Sequence, residues 1–129
     1  MRKSSLPKPT EAELAILNVL WDKGPTTVRV VHEELKEERQ TGYTTILKLM
    51  QIMHEKGLVL RDESARTHIY QPRKDREQTQ RQLVGDLLER AFGGSALSLV
   101  MQALSTKRAS QEELAEIGKL LRDIKSGKA

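Results

Sequence analysis

Residues 41–57 constrain the fold more than any other stretch, because they have the periodicity of an amphipathic helix with one unusual face. At about 100° per residue, the large apolar side chains fall on one side of this helix and most polar side chains fall on the other. The apolar side holds Ile46, Leu49, Met50 and Met53, with Tyr43 at its edge, and the polar side holds Thr44, Lys48, Gln51 and Glu55. No acidic residue occurs from Gln40 to His54. The stretch is either an ordinary core helix or a helix whose outer face suits the DNA major groove.

Two further helices are predicted before this one. Thr10 is expected to cap the first, with Glu13 completing a capping box, and Gly24-Pro25 is expected to end it. Thr27 is the expected cap of the second, which continues to about Arg39 with apolar residues at helical spacing. Only a short polar turn separates the second helix from residues 41–57, so the pair has the order of a helix-turn-helix.

After Gly57, which is suited to end the third helix, the hydrophobic period changes. Residues 58–61 and 67–70 are short β-prone runs separated by a polar, turn-like segment, and Pro72 ends the second run. Three helices followed by a β-hairpin have the element order of a winged helix, with the hairpin as the wing. Arg66, near the tip of the predicted wing, either contacts a phosphate or the minor groove or is an ordinary solvated charge.

The remaining residues predict three more helices, with Asp75 opening the first, Ser95 the second and Ser110 the third, where Glu113 would complete another capping box. This region is too small to bury its aliphatic side chains alone, so it packs either on a second copy of itself or back on the winged helix. We favour the second copy, with two-fold symmetry. The side chains expected in that dimer interface are Leu83, Leu87, Leu88, Leu97, Val100, Leu104, Leu114, Ile117, Leu121 and Ile124.

The chain therefore divides into three predicted regions of a mainly α fold. Residues 1–9 form a flexible N-terminal arm, residues 10–74 a winged-helix DNA-binding domain, and residues 75–129 a helical dimerisation region. The formal net charge is +4, and residues 1–74 carry 13 Lys and Arg against 10 Asp and Glu. Most of the excess positive charge thus lies in the part expected to meet nucleic acid.

The residue types also exclude or disfavour several classes of function. The chain has no cysteine, which rules out disulfides, thiolate metal sites and cysteine nucleophiles. His32, His54 and His68 lie on different predicted elements, so we expect no shared metal site, and no arrangement of nucleophile and base suggests an enzyme or a cofactor. Without a signal peptide or an apolar run of about 20 residues, the protein is expected to be cytoplasmic, with no membrane insertion.

Several short motifs, in this order and spacing, resemble the penicillinase-repressor family of winged-helix regulators, of the BlaI/MecI type with CopY-type repressors as relatives. They cover almost the whole chain, and no single one is diagnostic. The motifs are Pro9-Thr10-Glu11-Ala12-Glu13-Leu14-Ala15-Ile16-Leu17 through Leu20-Trp21, Thr27-Val28-Arg29-Val30-Val31, Tyr43-Thr44-Thr45-Ile46, Glu55-Lys56-Gly57-Leu58-Val59, Tyr70-Gln71-Pro72 and Phe92-Gly93-Gly94-Ser95.

The resemblance implies a homodimeric transcriptional repressor bound to a palindromic, double-stranded DNA operator. It implies that the third helix reads bases, while the wing and the start of the second helix hold phosphates. Carried onto this sequence, the base-reading candidates are Thr44, Thr45 and Lys48, flanked by Tyr43 and Gln51, and the phosphate-binding candidates are Arg29 and Arg66. The resemblance also implies release by a membrane-bound sensor protease that responds to β-lactams and cleaves the dimerisation region.

Three departures from the family pattern qualify these expectations. Many relatives have a basic residue where Ile52 stands, so a phosphate contact is missing there or Ile52 meets a thymine methyl group. The proteolysed repressors have an Asn-Phe bond where this chain has Gln102-Ala103, which puts cleavage at that bond in doubt. The metal-responsive relatives carry a cysteine cluster, so copper sensing through thiolates is excluded here.

The alternative function is a winged helix that binds proteins and has no DNA role, and the acid-free face from Gln40 to His54 argues against it.

Overall fold

The computed structural model describes residues 7–128. In chain order its elements are α1 (Glu11–Lys23), α2 (Val28–Arg39), α3 (Tyr43–Lys56), β1 (Val59–Asp62), β2 (Ile69–Pro72), α4 (Arg76–Ala91), α5 (Ala96–Thr106) and α6 (Gln111–Lys125). Three helices and an antiparallel hairpin followed by three more helices confirm the predicted mainly α, winged-helix fold. The first six residues of the predicted arm lie outside the described residues, and Pro9, at its other end, is buried.

Local sequence signals explain where the first three helices begin and end. At the start of α1, Thr10 Oγ1 accepts the Glu13 N–H at 3.2 Å while Glu13 Oε1 accepts the Thr10 N–H at 2.9 Å, which confirms the capping box. Thr27 caps α2 through a 3.2 Å bond from the Val30 N–H. Gly57 ends α3 with a φ of 85°, a left-handed conformation that glycine adopts without steric cost.

One aliphatic core joins these helices to the hairpin. Its buried members are Ile16, Leu17, Val19, Leu20, Val28, Val31, Leu35, Ile46, Met50, Met53, Val59 and Tyr70. Tyr70 also forms a β-bridge with Thr26, whose N–H donates to the Tyr70 carbonyl at 3.0 Å while the Tyr70 N–H donates back at 2.8 Å. The hairpin is thus attached by backbone hydrogen bonds to the segment that leads into α2.

The strands of the hairpin lie one to two residues later than predicted. Leu58 does not belong to β1, because its N–H still donates to the Met53 carbonyl at 2.9 Å and so completes the end of α3. The register pairs Asp62 with Ile69, which leaves residues 63–68 as the turn. The predicted strand starts at residues 58 and 67 were therefore wrong. β propensity reports neither where the preceding helix ends nor which residues pair across the hairpin.

The first compact unit runs through Val84 and so includes the beginning of α4. The Trp21 indole N–H donates to the Lys74 carbonyl at 3.0 Å, just before α4. Arg76 pairs with Asp22 at 2.6 Å, and its guanidinium lies 5.4 Å from the centre of the Trp21 ring. Thr79, one turn further along, is buried. These contacts fix the first turn of α4 on α1, while the predicted domain boundary at residue 74 stays a prediction.

The second compact unit, Gly85–Ala129, contains the end of α4 together with α5 and α6. Ser95 caps α5 by accepting the Ser98 N–H at 3.1 Å, and Ser110 caps α6 by accepting the Glu113 N–H at 3.0 Å. Both predicted caps are confirmed, but among the described bonds only this half of the predicted Ser110–Glu113 capping box is formed. The helix starts were predictable because caps depend on residues within one turn.

No residue of α5 or α6 is buried in the described part of the chain. Of the side chains predicted for a dimer interface, those that stay exposed are Leu87, Leu97, Val100, Leu104, Leu114, Leu121 and Ile124, while Leu83, Leu88 and Ile117 are half-buried. Leu97 is 70% exposed and Leu121 54% exposed. Such a concentration of accessible aliphatic surface is unusual for a monomeric domain and is typical of an interaction site.

Candidate nucleic-acid interface

A groove of about 520 Å³ separates the start of α2, the outer side of α3 and the hairpin. Its lining residues are Thr27, Val28, Arg29, Tyr43, Leu47, Gln51, Arg61, Arg66, Thr67, His68 and Tyr70. Three arginines contribute positive charge, and none of the described lining residues is acidic. An open groove with this charge attracts a polyanion, and its donors can bind phosphate oxygens.

Four of the residues predicted to contact DNA line this one groove, although they come from three different elements. Arg29 lies in the first turn of α2, Tyr43 and Gln51 lie on α3, and Arg66 lies in the turn of the hairpin. The β-bridge between Thr26 and Tyr70 holds the hairpin beside the start of α2. The winged-helix fold therefore brings together side chains that are up to 37 residues apart in the sequence.

The outer face of α3 carries the remaining predicted contacts. Thr44, Thr45 and Lys48 are all exposed, while Ile46 on the opposite face is only 1% exposed. The two faces expected from the periodicity are thus present on one helix. Hydroxyl and ammonium groups on an accessible helix face can donate hydrogen bonds to base edges in a major groove.

Tyr43 forms the link between the exposed face of α3 and the preceding helix. Its ring is 45% exposed and meets the His32 ring edge to face, with ring centres 5.9 Å apart and an interplanar angle of 86°. Edge-to-face aromatic pairs restrict ring orientation. The Tyr43 hydroxyl is therefore carried by a ring that α2 holds in place at the mouth of the groove.

Sequence reasoning missed Arg61, which lines the groove from strand β1. Its guanidinium lies 6.0 Å from the centre of the Tyr70 ring, and its Nε donates to Glu63 Oε2 at 2.6 Å. The hydrogen bond and charge of Arg61 hold the pKa of Glu63 below its usual range. The available signal was the alternation of side chains along β1. Arg61 stands two residues after buried Val59, so both side chains lie on the same face of the hairpin.

A hydrogen bond between Asp62 and Ser64 shapes the start of the hairpin turn, which carries Arg66. Asp62 Oδ1 accepts the Ser64 N–H at 2.9 Å, and this bond lowers the pKa of the Asp62 carboxyl. An aspartate that bonds the backbone two residues later forms a compact turn.

Ile52, the position where many relatives have a basic residue, is half-buried on α3 and is not among the residues that line the groove.

Three helices, a wing and a basic groove between the wing and the third helix define a winged-helix DNA-binding protein. The family model described as "Penicillinase repressor" matches residues 9–123, and the chain belongs to this family. The resemblance carried by the sequence motifs is thereby confirmed. The family consists of transcriptional repressors that bind DNA operators and are not enzymes.

Two relatives found by sequence agree with this assignment. The chain is 30% identical to the "Transcriptional regulator BlaI" of Mycobacterium tuberculosis, over 91% of this chain and 85% of that protein. It is 24% identical to the "Penicillinase repressor" of Bacillus licheniformis, over 95% of this chain and 96% of that protein. A solved structure of a MarR family protein from Bacillus stearothermophilus is similar with a TM-score of 0.45 and 20% identity, over 92% of this chain and 74% of that one.

Along residues 7–128, no helix combines the length and the apolar composition needed to cross a lipid bilayer. The same residues contain no group of three or more His, Cys, Asp or Glu side chains arranged to hold a metal ion.

Proposed function

We propose that this repressor acts in the cytoplasm as a homodimer on a palindromic operator, which each protomer contacts through α3 and the wing. One observation carries the proposal. The exposed face of α3 has no acidic residue from Gln40 to His54, and it borders a groove with three arginines and no acidic lining residue among those described. A helix that only bound other proteins would have no reason to exclude acidic residues from so long a stretch.

The proposed contacts are of two kinds: base contacts, which give specificity, and phosphate contacts, which give affinity. Thr44, Thr45 and Lys48 are proposed to contact base edges, because their short hydroxyl and flexible ammonium groups stand on the exposed face of α3. Tyr43 and Gln51 flank them at the groove. Arg29 and Arg66 are proposed to bind backbone phosphates on either side of α3, together with Arg61.

The dimer is proposed to form through the second compact unit. Its helices leave aliphatic side chains exposed along their length, including Leu97, Leu121 and Ile124. A second copy that covers this surface removes apolar area from water, and each Å² so buried contributes about 25 cal/mol to the free energy of association. Two-fold symmetry then presents two copies of α3 to two half-sites about one DNA turn apart.

Release by a membrane-bound sensor protease is the regulatory part of the proposal. The bond at the family's cleavage position, Gln102-Ala103, lies inside α5, so cleavage there requires local unwinding of that helix. Mass spectrometry of the chain from cells treated with a β-lactam tests this step. A new C-terminus between residues 75 and 129 supports release by proteolysis, whereas derepression with an intact chain contradicts it.

Titration of the purified protein against duplex DNA at two salt concentrations tests the proposed function. Each phosphate neutralised by Lys or Arg contributes a slope of about −0.9 to the plot of log affinity against log salt. We expect a steep loss of affinity with salt. Binding that is weak and nearly independent of salt would favour a protein-interaction module instead.

A further inference from the structure

The carboxylate of Glu13 is buried and makes polar contacts with both of its oxygens. The side chain is 2% exposed, and it is one of only two polar or charged residues buried among those described. Oε1 accepts the Thr10 N–H at 2.9 Å, and Oε2 accepts the Lys56 ammonium at 2.8 Å. One carboxylate therefore joins the first turn of α1 to the last residue of α3, across 43 positions of sequence.

The buried side of α3 consists largely of flexible side chains. Two of its three buried residues are methionines, Met50 and Met53, whose unbranched side chains adapt to small displacements. At the other end of α3, the cap residue Gly42 has no side chain to form a hydrogen bond, and the described contact is the edge-to-face pair of Tyr43 with His32. Directional polar contacts at the C-terminal end are therefore well placed to determine where the helix lies.

A second polar contact acts at the same end of α3. The Arg73 Nε donates to the Gly57 carbonyl at 2.8 Å, directly after the helix. This contact holds the chain leaving α3, whereas the Glu13–Lys56 pair holds the helix itself. Protein N–H···O hydrogen bonds have heavy-atom distances of about 2.7–3.2 Å and weaken steeply when the angle at the hydrogen falls below about 120°, so each contact resists sliding and rotation of α3.

We propose that Glu13 is a positioning residue for operator recognition, which holds the base-reading face of α3 in register with the DNA by anchoring Lys56. Glu13 is buried, whereas 36% of the Lys56 side chain is exposed, so the pair is half-buried. A polar pair with a buried member can specify one arrangement of helices even where it adds little stability. Base contacts require the same narrow distances as the anchor itself, whereas phosphate contacts by long cationic side chains tolerate displacement. Loss of the anchor therefore lowers affinity for the operator without lowering affinity for DNA in general.

This inference rests on the proposed use of α3 as the reading helix, and the variant Glu13→Gln tests it in the full-length protein. The amide oxygen of glutamine can still accept the Thr10 N–H, but the neutral side chain loses the charge interaction with Lys56. Glu13 cannot contact DNA, because it is buried. Glu11→Gln is the matched control, since Glu11 lies in the same turn of α1, is exposed and carries the same charge.

Two dissociation constants are measured for each protein, well below its unfolding temperature. One is for the duplex that the wild type selects from a random pool, and the other is for a shuffled duplex of the same length. We expect Glu13→Gln to lose about ten-fold in affinity for the selected duplex, equivalent to about 1.4 kcal/mol. Its affinity for the shuffled duplex should be unchanged or slightly higher, because the variant is more positive. Glu11→Gln should keep the wild-type ratio.

The inference would be overturned if folded Glu13→Gln had the same ratio of affinities for the selected and shuffled duplexes as the wild type, even if the variant unfolded at a lower temperature. If Glu13→Gln does not fold, Lys56→Met replaces it, since the capping bond of Glu13 to Thr10 is then retained. A lowered ratio for Lys56→Met, with the ratio restored in Lys56→Arg, supports the inference, and an unchanged ratio overturns it. A wild type that prefers no duplex would instead refute the proposed function, and the inference with it.

Discussion

Arg61 and Glu63 form an ion pair at the edge of the basic groove, in which the Arg61 Nε donates to Glu63 Oε2 at 2.6 Å. Arg61 lowers the pKa of the Glu63 carboxyl, so this carboxylate is ionised at neutral pH and the pair is lost only as pH falls through that lowered value. Under the proposed role of Arg61, a DNA phosphate competes with Glu63 for the guanidinium. We therefore expect Glu63, which does not line the groove, to weaken DNA binding.

Replacing Glu63 with glutamine should strengthen binding to any duplex by a few-fold and make the salt dependence steeper, because Arg61 becomes free to neutralise a phosphate. Affinity at several salt concentrations measures both effects. The same substitution in an Arg61→Met background is the control. If Glu63→Gln strengthens binding equally in that background, the effect is one of overall charge and the competition for Arg61 does not exist.

Replacing Lys48 with alanine should weaken binding to the operator by roughly 1–3 kcal/mol and relax the sequence preference, if its ammonium contacts a base. Competition between selected and shuffled duplexes measures this change. Lys23→Ala removes the same charge from α1, where Lys23 forms an exposed pair with Glu34, and should leave the preference intact. An equal loss for both duplexes in Lys48→Ala would make Lys48 a phosphate contact.

Replacing Arg29 or Arg66 with alanine should weaken binding to all duplexes to a similar extent and reduce the salt slope by about 0.9 for each residue. These arginines line the groove from two different elements, so their effects should add when both are replaced. The slope is obtained from binding isotherms between 50 and 200 mM salt, roughly the range over which phosphate contacts are strongly screened. Arg90→Ala, in the second compact unit, should leave the slope unchanged, and an unchanged slope for Arg66→Ala would identify Arg66 as a solvated loop charge.

Replacing Leu121 with aspartate should produce monomers, because the charge would have to be buried in the proposed dimer interface. Analytical ultracentrifugation detects the change in mass. Ala115→Asp introduces the same charge on the same helix but about 120° away from Leu121 around its axis, and should leave the dimer intact. A dimer that survives Leu121→Asp would place the interface elsewhere.

The sequence predicted those parts of the fold that depend on residues close together in the chain. The capping box of Thr10 and Glu13 and the helix end at Gly57 each involve residues within about one turn, and both are confirmed. The two faces of α3 were predictable for the same reason, since periodicity along one helix decides which side chains are buried. The winged-helix order followed from the three helices together with the two β-prone runs after Gly57.

The parts that sequence reasoning missed depend on contacts between distant segments. Arg61 lies opposite Tyr70 only because of the hairpin register, which β propensity does not determine. Glu13 was interpreted as half of a capping box, and its second role depends on packing against Lys56 in α3. The indole of Trp21 likewise bonds Lys74, 53 positions away. For Glu13, the local capping pattern was an adequate explanation and so concealed the long-range contact.

Selection of bound sequences from a random pool of duplexes tests the central claim most directly, because it reports specificity and dimer geometry together. A two-fold-symmetric dimer that reads bases through α3 should enrich one palindrome, with half-sites whose centres lie about one helical turn, or 10 base pairs, apart. Enrichment of no sequence, in spite of salt-dependent binding, would contradict base reading by α3. Enrichment of a single unrepeated half-site would contradict the symmetric dimer.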